Sequence, residues 1–439
     1  MEDYRRIADR IADAITSGRL KPGERLPPQR VFARRRGIAG STAGRVYGEL
    51  VRRGLVVGEV GRGTFVRAAP AGTGPALVEA ATQAPVNLEL NYPTAPDQSA
   101  LLAPALTALG RPDVLTEALR PAAATGTPAA RRAAAGLLAT PGWRPAPERI
   151  LFTGNARQAV AATLASLVRP GGRLGVEALT YPVVKDIAAR LGITLVPLAC
   201  DEEGPRPESV AAAHRAAPLA ALYLQPTLHN PTALTTGPER VRRLARTALD
   251  LGIPVVEDRI WSFLADGDPL APHAPGLTHV VDGLSKRVAP GLTIGVVVVP
   301  EGRVEAVAAS VRSGGWSAGS FALEAAVRWI GDGTVQRLVA AKRADAARRQ
   351  RILGEELRPF AVRSDPRAYF AWWELPAPWR ADTFTAAAAA HGIAVTPGPA
   401  FAVGPGRVPD AVRLGLASAP EPDLRRALRT LADVVRGTP

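Results

Sequence analysis

The sequence predicts a two-part α/β chain: a small basic helical unit ending in a hairpin, then a larger unit built on a mainly parallel sheet covered by helices. Three observations lead there. Positive charge is concentrated at the N-terminus, where residues 1–70 hold 15 Arg or Lys against seven Asp or Glu, a net of +8 out of the chain's +14. Residues 68–85 are small and almost uncharged, a composition that suits a flexible linker. Beyond them, short apolar runs alternate with longer helical stretches.

Composition narrows the class further. At 439 residues, 47% hydrophobic and 21% charged, the chain has an ordinary globular make-up, which excludes disorder throughout. Its length suits more than one domain, at roughly 100–200 residues each. A single cysteine, Cys200, excludes an intrachain disulfide framework and a cysteine-rich zinc site, and is expected to be a small buried residue. The five histidines show no metal-ligand spacing, so no metal site is expected. No apolar run reaches the ~18 residues of a membrane helix. Met1-Glu2-Asp3 opens without a basic-then-apolar segment, and the expectation is a soluble, cytoplasmic chain.

The first seventy residues divide into five pieces. Ile7, Ile11 and Ile15 recur at helical spacing with Arg5, Arg6, Asp9, Arg10 and Asp13 on other faces, an amphipathic first helix closed by Ser17-Gly18. Leu26-Pro-Pro-Gln-Arg30 opens a short second helix through Val31, Phe32 and Ala33. After Gly37 a third helix runs from about Ser41 to Arg53, with Val46, Tyr47 and Leu50 inward. Leu55-Val-Val57 and Thr64-Phe-Val66 flank a glycine-rich turn and form a hairpin. Three short helices and a hairpin make a winged helix-turn-helix, whose third helix would enter the DNA major groove.

This stretch resembles the GntR family of DNA-binding domains over nearly all of residues 3–67. The resemblance rests on Leu26-Pro-Pro-Gln-Arg30, Thr42, Tyr47, Leu50, Gly54 and Gly61-Arg-Gly-Thr-Phe-Val66. It implies that Arg30 contacts DNA at the start of the second helix, that Ser41, Thr42 and Arg45 lie on the recognition helix, and that Arg62 sits on the wing. Ala39-Gly40 stand where the family usually has Ser-Arg, which removes an N-cap side chain and a DNA contact. Arg34, Arg35, Arg36 and Arg45 offer phosphate contacts in compensation.

In the larger unit the strand-like runs are Arg149–Phe152, Leu174–Val176, Ala220–Leu224, Pro254–Glu257 and Ile294–Val299. In open sheets of this kind ligands collect at the carboxyl ends of strands. After Phe152 comes Thr153-Gly-Asn-Ala-Arg-Gln158, a helix start able to cradle a phosphate. After Leu224 a proline-rich loop presents Asn230, and after Val256 comes Glu257-Asp258. Before Ile294 stands Lys286, one of only four lysines (with Lys21, Lys185 and Lys342) among 54 basic residues. A lysine amine can lose its proton and bond covalently to a carbonyl, which an arginine cannot. A lysine, a carboxylate, an amide and a phosphate cup are the parts needed to hold pyridoxal phosphate.

Together these segments resemble the class I aminotransferases, fold type I of the pyridoxal-phosphate enzymes, across roughly residues 86–437. The resemblance implies that Lys286, in GLSKRVAPGLTIG, is the Schiff-base lysine and Asp258 the partner of the pyridine nitrogen. It implies that Asn230 meets the phenolic oxygen, Tyr181 stacks on the ring, and Asn155, Ala156 and Arg157 form the phosphate loop. Arg413, in Val412-Arg-Leu-Gly415, matches the arginine that grips a substrate carboxylate, with Pro397-Gly398 and Phe401 shortly before it. Four positions depart from the family: Thr293 replaces a phosphate-binding arginine, Gly283 a hydroxyl residue, Ile260-Trp261 a tyrosine, and no tyrosine stands near Gly126. Arg157 and Arg287 are the candidates to restore the lost charge.

A GntR-type reader fused to such a domain is the arrangement of the MocR subfamily of bacterial regulators. The expected organisation is 1–67 for the DNA-binding domain, 68–85 for the linker, and 86–439 for an effector-binding and dimerisation domain. The expected function is a DNA-binding transcriptional regulator that senses pyridoxal phosphate or an amino compound bound through it. Its partners would be double-stranded operator DNA, a small amino effector and a second copy of the chain, with no membrane. Two alternatives stand beside it: a regulator with a degenerate, cofactor-free site, which senses another ligand or serves only dimerisation and in which Lys286 and Asp258 form a structural ion pair, and an active aminotransferase. Trp372-Trp373 reads as sheet core, and the Arg-rich stretch Lys342–Arg351 as a solvated helix face.

Overall fold

The computed structural model describes residues 4–16, 19–20, 23–52, 55–59, 63–66, 84–404 and 408–437. In the N-terminal unit, helix α1 (Tyr4–Thr16) packs Ile7, Ala8 and Ile11 against helix α3 (Gly40–Arg52), which contributes Ala43, Val46, Tyr47 and Leu50. Helix α2 (Gln29–Arg36) lies between them and ends at Gly37, whose φ of 62° suits the left-handed cap. Its Phe32 meets Tyr47 edge-on at 5.4 Å, and the Tyr47 hydroxyl donates to the Pro27 carbonyl at 2.5 Å. Strands β1 (Arg25–Leu26), β2 (Val56–Glu59) and β3 (Gly63–Val66) form an antiparallel sheet with β3 central. The hairpin was expected; its third strand, Arg25–Leu26, was not. The tip of the wing with Gly61 and Arg62, and residues 68–83 of the expected linker, lie outside the described residues.

The large sheet has seven strands. Across it they run Ile150–Thr153, Gly295–Val298, Thr278–Gly283, Val255–Asp258, Ala221–Leu224, Arg173–Glu177 and Thr194–Leu198. Only Gly295–Val298 is antiparallel to its neighbours. Successive side chains face opposite sides, so Phe152, Val280 and Val296 enter one apolar layer while Leu151, Val281 and Val297 enter the other. Helices Pro128–Leu138 and Ser320–Gly331 cover the first face, and Ala156–Leu167 and Val304–Ser313 the second. Double coverage explains why most of these strands read as continuous apolar runs.

A 23-residue helix, Thr334–Glu356, leads to a second sheet. There Val362–Ser364, Phe370–Glu374, Ala411–Gly415 and Thr396–Pro397 pair antiparallel over helices Ala381–Ala390 and Glu421–Arg436. Trp372 and Trp373 are buried in it, as expected. Two expectations need correction. The stretch from Lys342 is not a solvated face: Lys342 is fully buried, and Arg349 is buried against Asp345 at 2.8 Å. Cys200 is exposed, because it lies in the two-residue strand Cys200–Asp201, one arm of a surface hairpin with Gly204–Pro205. Among the described residues no helix is long and apolar enough to cross a membrane.

Candidate cofactor site

Five strands of the large sheet point their carboxyl ends at one cavity of about 240 Å³, and each delivers a segment singled out in the sequence. Ile150–Thr153 leads to Asn155, Ala156 and Arg157; Arg173–Glu177 to Tyr181; Ala221–Leu224 to Asn230; Val255–Asp258 ends on Asp258; Thr278–Gly283 leads to Lys286. Arg413 enters from the smaller sheet, so all eight expected residues of this site line the same space.

The lysine is set up as a reactive amine. Lys286 lies on the short helix Leu284–Arg287, and its Nζ donates to the Asn91 carbonyl at 2.7 Å. It sits 4.2 Å from the Tyr92 ring centre and 5.2 Å from that of Trp261. Trp261, which stands where the family has a tyrosine nearby, therefore offers a π-face here. Burial, reinforced by the charges of Arg157, Arg413 and Lys342, brings the Lys286 pKa down to about 7. Among the described residues Lys286 forms no ion pair with Asp258; its Nζ is held by the Asn91 carbonyl instead.

Asp258 is held rigidly. Its Oδ2 accepts from Tyr223 Oη at 2.6 Å and Gln225 Nε2 at 3.0 Å, and its Oδ1 from the Ile260 amide at 3.0 Å. Burial raises its pKa, and those hydrogen bonds oppose the rise. Gln225, not singled out from the sequence, ties the site together: its backbone amide donates to Glu177 at 2.8 Å and its Oε1 accepts from the Asn230 amide at 3.3 Å. Glu177 is itself fully buried, and desolvation pushes its carboxyl up to about 7.

The residues present fit pyridoxal phosphate. Asn155 caps the helix Ala156–Leu167 by accepting from the Gln158 amide at 3.0 Å, which leaves the amides of Ala156 and Arg157 for a ligand anion. The Arg413 guanidinium donates to Asn230 Oδ1 at 3.4 Å, to Thr396 Oγ1 at 3.2 Å and to the Glu89 carbonyl. Its Nε and the nearby Asn91 Nδ2 are buried donors without acceptors, which suits a carboxylate-bearing ligand. Asn91, Tyr92 and Gln225 escaped the sequence reading because they stand in loops and carry no recognisable spacing.

In the N-terminal unit Arg30, Ser41 and Arg45 are exposed and Thr42 is half-buried, along the start of α2 and the first turns of α3. Arg34, Arg35 and Arg36 are exposed beside them. Arg62 lies outside the described residues.

A helix-covered, mainly parallel sheet whose strand ends carry this lysine, carboxylate, asparagine and helix N-terminus is the aminotransferase fold, here joined to a winged helix-turn-helix. Comparison with known proteins gives the same division. Residues 116–431 match the family described as aminotransferase class I and II, and residues 3–66 match the bacterial regulatory proteins of the gntR family. The chain belongs to the aminotransferase class I and II family and carries a gntR-type domain at its N-terminus.

The chain is similar to the uncharacterized HTH-type transcriptional regulator YdeF of Bacillus subtilis (strain 168), 27% identical over 94% of this chain and 90% of the relative. It is 24% identical to the corresponding regulator YdcR of Escherichia coli (strain K12), over 92% and 93%. The crystal structure of LysN, the α-aminoadipate aminotransferase of Thermus thermophilus, superposes with a TM-score of 0.73 at 21% identity. That superposition covers 83% of this chain and 95% of that one. This is the domain composition of a transcriptional regulator with an aminotransferase-like domain, consistent with the MocR subfamily.

Proposed function

We propose that the N-terminal unit binds operator DNA and that the aminotransferase-like unit senses pyridoxal phosphate, or a small amino compound that binds through it. The observation that carries the reading is the convergence of a desolvated lysine amine, a buried carboxylate and free helix amides on one cavity. When bound, pyridoxal phosphate supplies an aldehyde open to amines and an electron-accepting ring. Lys286 would anchor it, with Asn91 and the faces of Tyr92 and Trp261 holding the amine in place. Asp258, fixed by Tyr223 and Gln225, would hold the proton on the ring nitrogen. Tyr181 would cover the ring and Asn230 would meet its oxygen, while Arg413 takes the carboxylate of the effector. On the DNA side, α3 would present Ser41, Thr42 and Arg45 to the major groove, with Arg30 on the backbone and Arg62 on the wing. The functional form would be a homodimer, with the domains at 1–67 and 86–439 joined by the 68–85 linker.

The test is the visible absorption spectrum of the purified protein with added pyridoxal phosphate, beside Lys286→Ala. The expected result is an imine band in the wild type that borohydride abolishes while fixing the cofactor covalently to the chain, and that the variant lacks. Amino compounds that shift this band should also change affinity for operators selected from a random double-stranded DNA library. A folded, DNA-binding protein with no band would mean that the cavity takes another ligand.

A further inference from the structure

The resemblance leaves the cofactor phosphate short of a charge, because Thr293 stands at the arginine position and Gly283 at a hydroxyl position. The structure shows that neither position can be made good locally. A Cβ on Gly283 would lie 2.7 Å from the Ile294 carbonyl oxygen and 3.4 Å from the Ala156 Cβ, so no serine fits without displacing a strand. The Thr293 hydroxyl donates to that same carbonyl at 3.2 Å and carries no charge.

The remaining cations can be sorted by what already holds them. Arg287 adjoins Lys286, but its guanidinium is buried in an ion pair with Asp282 and lies 5.2 Å from the Phe263 ring centre, outside the cavity wall. Lys342 is spent on three backbone carbonyls. Arg413 is bound to Asn230, Thr396 and the Glu89 carbonyl, and Lys286 is the anchor. That leaves Arg157. It is the second residue of the helix Ala156–Leu167, it lines the cavity, and its guanidinium lies beside the Tyr181 and Tyr92 hydroxyls. Among the described residues no carboxylate pairs with it within salt-bridge distance.

We infer that the Arg157 guanidinium is the cation that grips the cofactor phosphate in this chain, reaching it from the helix N-terminus instead of from position 293. The two tyrosine hydroxyls orient the fork, and the Ala156 and Arg157 amides complete the cradle. The inference rests on the reading of the cavity as a pyridoxal-phosphate site.

The experiment compares pyridoxal phosphate with pyridoxal, which lacks the phosphate, by absorbance titration of the full chain and of Arg157→Ala, Arg157→Gln and Arg157→Lys. The ratio of the two dissociation constants is the readout, because damage common to both ligands cancels. The wild type should favour the phosphorylated ligand, and Arg157→Ala should cut that preference by about 10- to 100-fold, the worth of a charge-assisted pair. Arg157→Lys should keep more of the preference than Arg157→Gln. An unchanged ratio in Arg157→Ala, with both ligands still attaching to Lys286, would overturn the inference and leave the cofactor reading intact. No attachment of either ligand to the wild type would overturn both.

Discussion

A buried amine with a pKa near 7 makes a prediction separate from the question of who holds the phosphate. Only the neutral form of Lys286 can attack an aldehyde. Burial and the charges of Arg157, Arg413 and Lys342 lower its pKa from the ordinary 10.5 to about 7, so the neutral fraction rises with pH through that value. The rate of pyridoxal phosphate attachment should therefore climb from pH 6 to about 8 and then level off. A rate still rising toward pH 10, followed by stopped-flow absorbance, would show an ordinary solvated lysine. Gly283 carries a second prediction at this scale. Gly283→Ser should cost about 1–3 kcal/mol in denaturant unfolding, because its Cβ meets the Ile294 carbonyl. It should not improve cofactor affinity, although it restores the hydroxyl that the resemblance implies. The eight expected residues of the cavity were legible in the sequence, Lys286, Asp258, Asn230 and the 155–157 segment from their places beside strand ends, Tyr181 and Arg413 through the family resemblance alone. The residues that brace them, Gln225 and Asn91, were not, because their partners stand 33 and 326 positions away.

At the scale of the element, the short helix Leu284–Arg287 depends on a partner far along the chain. Four residues cannot pair their own last carbonyls. Lys342, from the middle of the helix Thr334–Glu356, donates to the carbonyls of Lys286 at 3.0 Å, Arg287 at 3.1 Å and Val288 at 2.7 Å. That helix is in turn fixed by Tyr369, whose hydroxyl donates to Asp345 at 2.9 Å, and by Arg349, whose guanidinium donates to the Leu416 and Ala419 carbonyls at 2.6 Å. Lys342→Met keeps the apolar stem and removes the three donors. It should lower the unfolding free energy by about 2 kcal/mol, the cost of stranding buried carbonyls. It should also raise amide exchange over 284–292. Unchanged exchange there would show that the clamp is dispensable. Nothing in the sequence around Lys342 signals this role, since its charge pattern is that of an exposed helix. The same limit explains which strands were legible. Ile150–Thr153 and Ala221–Leu224 are buried throughout and almost wholly apolar, whereas Thr278–Gly283 has only two valines, flanked by His279 and Asp282, and the edge strand Thr194–Leu198 is partly exposed. The central pair of the smaller sheet, Phe370–Glu374 with Ala411–Gly415, joins segments far apart in sequence, with no local spacing to announce its pairing.

At the scale of the whole molecule, the winged helix-turn-helix and the cavity share a neighbour. The Arg380 guanidinium, at the start of the helix Ala381–Ala390, lies 4.4 Å from the ring centre of Phe65 on β3. Gly23 lies so close to Thr383 on the same helix that a Cβ there would meet its methyl group at 2.3 Å. The sheet beside that helix carries Arg413, the proposed grip on the effector. If, as proposed, an effector binds Arg413 and shifts the small sheet, the contact at Phe65 would give that shift a route to the wing. Coupling between two sites is reciprocal, so an effector that changes operator affinity by some factor has its own affinity changed by the same factor when DNA is bound. Couplings of this kind are typically about 5- to 150-fold. Arg380→Ala removes the cation from the Phe65 ring. It should pull both factors toward one together, as read by operator titration with and without effector and by effector titration with and without operator. If both factors persist in Arg380→Ala, the signal travels by another route, through the linker or a second copy of the chain. If only one of them falls, the two titrations have not reported on a single equilibrium, because linkage does not allow the factors to differ.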